Sequence, residues 1–338
     1  MIRRWVRRYP RLVSMLRRIR AGWWAVRAAS GPRSAARPRY PTSYRVSPPP
    51  APITGEWLQP PELASPMSRV DTVEFAPPMV FDVALFEALN AEYASNPLVT
   101  DPPKYDQASI AERSRRRVSG IHDQLDLRGK TVLEIGCGSG YEVWNLAGQL
   151  ACDAWGIDIT PRKAWPGLVG DRVHLVAGDI ASGGGLPSDT FERVLSFTVW
   201  EHITRPLEAI VELARVMKPG GLAWIRANLY RGPAASHRYR DISFPFPHLL
   251  FSDAVIDEAM RRAGRARGGS AWVNRLTWEQ YEAAFLEAGL AIRALNFTLH
   301  PLDEAFYERF EDVLGRYPKA DLERDFFQVV LEKPAGGR

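Results

Sequence analysis

Cysteine is scarce in this chain of 338 residues, and its two cysteines, Cys137 and Cys152, do not form a metal-ligand spacing such as C-x-x-C. Two cysteines make a disulfide framework improbable, so a reducing compartment, the cytoplasm, is expected. The sequence also has no H-E-x-x-H, and no apolar stretch reaches the about eighteen residues that a membrane span needs. We therefore predict neither a resident metal nor a transmembrane helix.

Acidic residues are absent from positions 1–55, which contain thirteen arginines, and Glu56 is the first carboxylate. The formal net charge of +5 conceals this division, because residues 56–338 alone carry a net charge of −8. Nucleic-acid-binding domains usually carry a basic patch or stripe. The acidic body of this chain is therefore not expected to bind nucleic acid.

The basic tail has a pattern as well as a charge. Apolar side chains recur every three or four residues from Trp5 to Val26, with most of the arginines around that stripe. Because proline breaks or kinks the interior of a helix, the regular helix is expected to begin near Pro10. We predict a basic amphipathic arm over residues 1–30, whose basic and aromatic faces suit an anionic membrane surface at the inner face, or an acidic partner. A solvated, disordered arm and an arm that binds nucleic acid are the alternatives.

Proline-rich sequence follows the arm. Ten prolines lie between residues 31 and 66, which predicts a stiff linker over residues 31–80. The remaining residues, 81–334, are numerous and apolar enough for one complete hydrophobic core. The sequence therefore predicts an arm, a linker and one large domain.

The most informative stretch is V-L-E-I-G-C-G-S-G, from Val132 to Gly140. Its apolar start predicts a buried strand of a parallel sheet, and helical spacing of apolar residues follows from Tyr141 to Leu150. Alpha/beta folds use this order of strand, glycine turn and helix to bring bare backbone against a nucleotide-like ligand. Glycine suits the turn because a side chain would block the close approach and the positive φ angles.

The acidic residues narrow the choice of ligand. The dinucleotide pattern G-x-G-x-x-G needs a third glycine at position 141, which is Tyr141 here. A second apolar segment ends in Asp158, twenty residues beyond Gly138, where a carboxylate can accept hydrogen bonds from both hydroxyls of a ribose. A third apolar segment ends in Asp179, and an acid at this position suits the exocyclic amine of adenine. These features favour adenosine without phosphates.

Four ordered segments resemble the class I S-adenosylmethionine-dependent methyltransferases. The segments are Glu134–Gly140, Gly156–Asp158, Ala177–Ile180 and Arg215–Gly221, and the resemblance spans about residues 129–227. It implies S-adenosyl-L-methionine as the cofactor. It also implies an α/β, doubly wound, mostly parallel seven-stranded sheet with helices on both faces, which is the Rossmann-like methyltransferase fold, over residues 81–334.

The resemblance further implies cofactor contacts for eight residues: Glu134, Gly136, Gly138, Gly140, Asp158, Ile159, Asp179 and Ile180. The three glycines would line the methionine and ribose part, with Glu134 beneath them helping to place the methionine end. Asp158 would hold the ribose hydroxyls while Ile159 packs on the adenine face. Asp179 would accept from the adenine amine, and the Ile180 backbone would face the ring.

The residues at the end of the fourth predicted strand indicate the class of the methyl acceptor. Methyltransferases that act on amino groups of bases commonly carry a D/N/S-P-P-aromatic tetrapeptide there, whereas this chain has S-F-T-V from Ser196 to Val199. A base amine is therefore disfavoured, oxygen acceptors are favoured, and carbon acceptors stay open. His202 follows this strand, with Glu201 beside it, and is the predicted catalytic base. The alternative is that His202 orders the loop or contacts the methionine end.

An insertion over residues 228–277 precedes a predicted helix that begins at Trp278. Aromatic side chains with scattered Arg and His suit a sugar or a ring-bearing lipid head group. The acceptor candidates in it are Tyr230, Arg238, Tyr239, Arg240 and His248. Four apolar residues are interpreted as core: Phe244, Phe246, Leu249 and Phe251. The insertion is similar to those of methyltransferases associated with cell-surface polysaccharide synthesis.

These observations predict a cytoplasmic methyltransferase that methylates a hydroxyl of a glycan, including a lipid-linked glycan, or of a related small molecule. A quinone, lipid or secondary metabolite is the alternative acceptor. A non-catalytic cofactor-binding module and a nucleic-acid-binding protein are alternatives of another class. The intact glycine turn and the two strand-end acids argue against the first, and the confinement of positive charge to the arm argues against the second.

Overall fold

The computed structural model describes residues 81–99, 104, 106–265 and 274–335. The arm predicted over residues 1–30 and the linker predicted over residues 31–80 lie outside these described residues. Within the described ranges no helix is both long and apolar enough to cross a membrane. Cys137 and Cys152 are free and buried.

The strands form one seven-stranded sheet in the order β3-β2-β1-β4-β5-β7-β6. Their bounds are β1 Thr131–Ile135, β2 Asp153–Asp158, β3 Val173–Ala177, β4 Phe191–Phe197, β5 Met217–Asn228, β6 Ala291–Leu299 and β7 Arg324–Glu332. Strands β1 to β5 pair in parallel, and β7 runs antiparallel to both β5 and β6. The predicted doubly wound, mostly parallel fold is confirmed. Because the strand order reverses beside β1, a ligand is expected at the carboxyl ends of β1 and β4.

Helices cover both faces of this sheet. Their bounds are α1 Val83–Glu92, α2 Gln107–Leu125, α3 Tyr141–Leu150, α4 Pro206–Val216, α5 Pro247–Leu250, α6 Asp253–Arg262, α7 Trp278–Glu287, α8 Glu304–Arg309, α9 Glu311–Leu314 and α10 Lys319–Glu323. Alternate residues of β1 enter opposite layers, because successive strand side chains point to opposite faces. Val132 belongs to the core with Leu146 of α3, whereas Leu133 belongs to the core with Leu213 of α4.

A third hydrophobic core joins the insertion to the first helix and to α8, α9 and α10. Phe86 of α1 contacts Phe244 and Phe251, with ring centroids 5.1 and 5.2 Å apart. The four insertion residues predicted to be core are all buried, so that prediction is confirmed. Helix α6 also lies in the insertion, and Ser252 caps it by accepting from the Val255 N–H.

Candidate functional site

The glycine turn after β1 lies at the centre of the site. Gly136, Gly138 and Gly140 adopt φ angles of 75°, 48° and 82°. A Cβ atom on Gly136 would lie 2.3 Å from Cγ2 of Val199, which follows β4, so this position has no room for a side chain. Gly140 caps α3 in the left-handed conformation. The turn thus presents backbone instead of side chains at the carboxyl end of β1.

Asp158 ends β2 beside this turn. Its Oδ2 accepts from the Gly138 N–H at 2.9 Å, and its Oδ1 accepts from the Thr160 N–H at 2.9 Å. These bonds fix the carboxylate, while each oxygen keeps further acceptor capacity for a ligand hydroxyl. The adjacent Ile159 is 74% exposed, which leaves an apolar surface beside Asp158 for a flat ring to cover. Both positions suit the predicted ribose and adenine contacts, which stay predictions.

Asp179 is held at the end of β3 by a residue that the sequence analysis missed. Its Oδ1 accepts from the Ala181 N–H at 2.9 Å, and its Oδ2 accepts from Nη2 of Arg205 at 2.8 Å. Partial burial alone would raise the pKa of Asp179, but these hydrogen bonds outweigh it and hold the pKa below its ordinary value. The carboxylate is therefore ionised and oriented. Arg205 is the third residue after the W-E-H segment and directly precedes α4, and no local sequence signal distinguishes it.

A cavity of about 450 Å³ connects these groups, a volume typical of small-molecule sites. Five of the eight predicted cofactor residues line it, namely Gly136, Asp158, Ile159, Asp179 and Ile180, together with the predicted base His202. Gly138 and Gly140 do not line it but shape the turn. The cavity has the bare backbone and the two strand-end acids that an adenosine-bearing cofactor requires, so the residues present fit the cofactor.

Glu134 lies beneath the glycine turn, where its side chain is 3% exposed and its Oε2 has no hydrogen-bond partner among the described residues. Burial, and then the nearby charge of Glu142, raises the pKa of Glu134 well above its ordinary value. Glu142 is itself paired with Arg117 at 2.9 Å. A cationic group placed against Glu134 would favour its ionised form, which agrees with the predicted placing of the methionine end.

Three titratable side chains meet after β4. Residues Trp200–His202 form a 3-10 turn in which Glu201 is fully buried, and no described side chain donates a hydrogen bond to its carboxyl oxygens. Burial raises the pKa of Glu201 to about 8. His202 is exposed at the cavity, and its ring lies edge-on to that of His237, with centroids 4.8 Å apart.

His237 comes from the insertion and was not among the predicted site residues. Burial, and then the neighbouring His202, lowers the pKa of His237 to about 4, so this imidazole is neutral at pH 7. Its φ of 55° is a left-handed conformation that non-glycine residues seldom adopt, and Thr198 at the end of β4 has a φ of 56°. Such strained positions cluster at functional sites.

The predicted acceptor residues of the insertion do not line the cofactor cavity. His248 donates from Nε2 to the Tyr230 carbonyl at 2.6 Å, and burial lowers the pKa of His248 to about 4. Arg238, only 13% exposed, pairs with Asp257 of α6 at 3.2 Å. Tyr239 is half-buried and Arg240 is exposed. The contacts of His248 and Arg238 hold the insertion together, and an acceptor contact for the five residues stays a prediction.

Comparison with known proteins decides the family. A family model described as a methyltransferase domain matches residues 133–225. The ubiquinone biosynthesis O-methyltransferase of Cereibacter sphaeroides is 31% identical over 186 residues, which cover 49% of this chain and 68% of that protein. The chain belongs to the class I S-adenosylmethionine-dependent methyltransferases. The predicted enzyme class and its cofactor, S-adenosyl-L-methionine, are thereby confirmed.

Other relatives of this methyltransferase match over shorter stretches. The tRNA U34 carboxymethyltransferase of Hydrogenovibrio crunogenus is 35% identical over 105 residues, which cover 28% of this chain and 31% of that protein. This chain thus spans about a third of the length of that relative. Among solved structures, a putative S-adenosylmethionine-dependent methyltransferase from Listeria monocytogenes is 17% identical with a TM-score of 0.45, covering 66% of this chain and 99% of that one.

Proposed function

We propose that this methyltransferase transfers the methyl group to a hydroxyl oxygen of a small, ring-bearing acceptor. The observation that carries the proposal is the position of His202, exposed at the cavity directly after β4. Bound S-adenosylmethionine supplies a methyl group already activated on a sulfonium. Methyl transfer then needs mainly alignment of the acceptor, and a hydroxyl acceptor also needs a group that takes its proton. We assign that role to the His202 imidazole.

The chemistry of the proton transfer favours a phenolic acceptor over a sugar. An imidazole accepts a proton more readily from a phenol, whose pKa is about 10, than from an alkyl hydroxyl, which is a far weaker acid. The similarity to a ubiquinone biosynthesis O-methyltransferase supports a phenol of the quinol type. The aromatic and basic insertion supports the glycan acceptor of the sequence analysis, which we retain as the second candidate.

The similarity to tRNA carboxymethyltransferases suggests RNA as an alternative acceptor. The net charge of −8 on residues 56–338 argues against it, because RNA-binding surfaces neutralise phosphates with an excess of Lys and Arg. We therefore favour a small acceptor. A contact of the basic arm, residues 1–30, with an anionic membrane on its cytoplasmic side is part of the proposal, and would bring the enzyme to a lipid-soluble or lipid-linked acceptor.

The acceptor class can be tested with the full chain and methyl-labelled S-adenosylmethionine. The panel would contain a catechol-type dihydroxyphenol, an oligosaccharide with free hydroxyls, and a tRNA transcript. We expect label on the phenol oxygen, and none when the enzyme is boiled. Label on the oligosaccharide alone would replace the phenol by the glycan candidate. Label on tRNA alone would reject a small acceptor.

The cofactor site predicts the effect of Asp158→Ala. Loss of charge-assisted hydrogen bonds to the ribose costs about 1.5–3 kcal/mol, so affinity for S-adenosylmethionine should fall roughly tenfold or more in calorimetry. Asp153→Ala is the matched control, because Asp153 begins the same strand and pairs with His174 at 2.9 Å at its opposite end. Equal affinities of Asp158→Ala and the unaltered enzyme would refute the assignment.

A further inference from the structure

The Glu201 carboxyl group is buried, and no described side chain donates a hydrogen bond to it. The backbone N–H groups of Glu201 and Asn228 and the more distant charge of Arg226 act on it, but among the described residues no Lys or Arg nitrogen lies within 4.0 Å of it. Burial disfavours the ionised form of this carboxyl group, and a cation bound beside it would stabilise that form. The imidazoles of His202 and His237 lie close to this carboxyl group, because one ligand atom of each of the three residues lies within 4.8 Å of the others.

Hydrogen bonds determine which nitrogen of His237 carries the proton. The Asn228 amide nitrogen donates to the backbone oxygen of Asp325 at 2.6 Å and to its Oδ1 at 2.9 Å. The Asn228 amide oxygen is therefore the atom that faces Nε2 of His237, 3.2 Å away. Since that oxygen only accepts, Nε2 carries the proton and Nδ1 has the lone pair. Metal-binding histidines are oriented in the same way, by donating their other N–H to a fixed oxygen.

We propose that Glu201, His202 and His237 bind one divalent transition-metal ion at the edge of the cofactor cavity. Such ions lie about 2.0–2.2 Å from nitrogen and oxygen ligands, so the three groups approach one another by on the order of an ångström on binding. The sequence analysis predicted no metal, because no known ligand spacing occurs. The site is visible only in the fold, which brings His237 of the insertion beside the turn after β4.

The ligand set indicates the class of ion. Two imidazoles with one carboxylate suit Zn²⁺, Fe²⁺, Mn²⁺ or Co²⁺, whereas Mg²⁺ and Ca²⁺ prefer oxygen ligands alone. Three protein ligands also leave coordination positions open for water or an acceptor. Because His202 lines the cavity that also contains Asp158 and Asp179, such an ion would lie within the site.

The role of the ion in catalysis rests on the proposed function, although its binding does not. An acceptor hydroxyl on an open coordination position would have its pKa lowered by the cation. Its proton would then leave to water, and His202 would act by holding the ion instead of taking the proton. The oxygen–methyl bond would form as the sulfur–methyl bond breaks, with no oxidant or reductant consumed.

Binding can be measured without any acceptor. The untagged full chain, stripped with EDTA and dialysed, would be titrated with Co²⁺ and followed by visible absorption and equilibrium dialysis. We expect one Co²⁺ per chain, and a Kd at least tenfold higher in Glu201→Gln and in His237→Gln. His174→Gln is the matched control, because its imidazole pairs with Asp153 at the far end of β2, and its Kd should be unchanged.

Absence of stoichiometric Co²⁺ binding, or an equal Kd in His237→Gln and His174→Gln, would overturn the proposal. Circular dichroism melts establish whether each variant folds. If Glu201→Gln does not fold, the Kd of His237→Gln alone tests the proposed metal site. The two proposals fail separately. Cobalt bound at this site with no label on the phenol would reject the proposed acceptor and leave the metal site. Phenol methylation with no cobalt bound would reject the metal site and leave the proposed acceptor.

Discussion

Replacement of His202 by glutamine is expected to lower kcat at least a hundredfold, while affinity for S-adenosylmethionine changes little. Glutamine keeps a polar side chain of similar reach in the turn after β4, but it has no imidazole nitrogen to take the acceptor proton or to hold an ion, and assistance of proton removal contributes typically about 10²–10⁴-fold. The measurement is the initial rate of phenol methylation at saturating cofactor, beside calorimetry of cofactor binding in the same preparation.

The matched control for this variant is His122→Gln. His122 lies on α2, where its Nδ1 accepts from the Leu127 N–H at 3.1 Å, and it does not line the cofactor cavity. Its rate should stay within a few-fold of the unaltered enzyme. A loss of only a few-fold in His202→Gln as well would mean that His202 orders the loop or contacts the methionine end. Inhibition by EDTA would separate a metal-holding His202 from one that takes the proton directly.

Gly136→Ala is expected to destabilise the fold by about 2–5 kcal/mol and to abolish measurable cofactor binding. The added Cβ would lie 2.3 Å from the Val199 side chain, and overpacking costs about 1–3 kcal/mol. The φ of 75° adds about 1–2 kcal/mol for a residue with a side chain. Relief by movement of Val199 would displace the turn that contains His202. Urea denaturation and calorimetry measure the two effects.

Two further glycines provide controls for Gly136→Ala. Gly138 has a φ of 48° but open space where a Cβ would lie, so Gly138→Ala should cost only the conformational strain, about 1–2 kcal/mol. Gly148 is an exposed residue within α3 with open space around it, and Gly148→Ala should stabilise the helix by about 0.5–1 kcal/mol. If all three variants unfolded at the same urea concentration, the contact with Val199 would not explain the need for glycine.

Much of the cofactor side could be predicted from the sequence because its signals are local. The apolar run that starts at Val132 lies in β1, and the helix predicted from Tyr141 to Leu150 has those same bounds in the structure. The acids at positions 158 and 179 each follow an apolar strand, and parallel strands align their carboxyl ends. Their approach to one cavity therefore follows from the order of strands along the chain.

The acceptor side could not be predicted in the same way, because its contacts join distant parts of the chain. No periodic pattern in the sequence predicts the Arg205–Asp179 pair or the approach of His237 to Glu201. Arg and His residues among aromatic ones can either contact an acceptor or hold the fold together, and the sequence alone does not distinguish these two roles. In Arg238 the side chain pairs with α6 instead of lining the cavity.

The hydrophobic core that Phe86 of α1 shares with the insertion also includes residues of α8, α9 and α10, which has a consequence for redesign of this enzyme. Three segments, one before the sheet, one between β5 and β6 and one between β6 and β7, bury one common interior. None of them could be exchanged for that of a homologue without matching changes in the other two. A new acceptor preference would therefore require coordinated changes at three remote stretches of the gene, rather than the transplanting of a single loop.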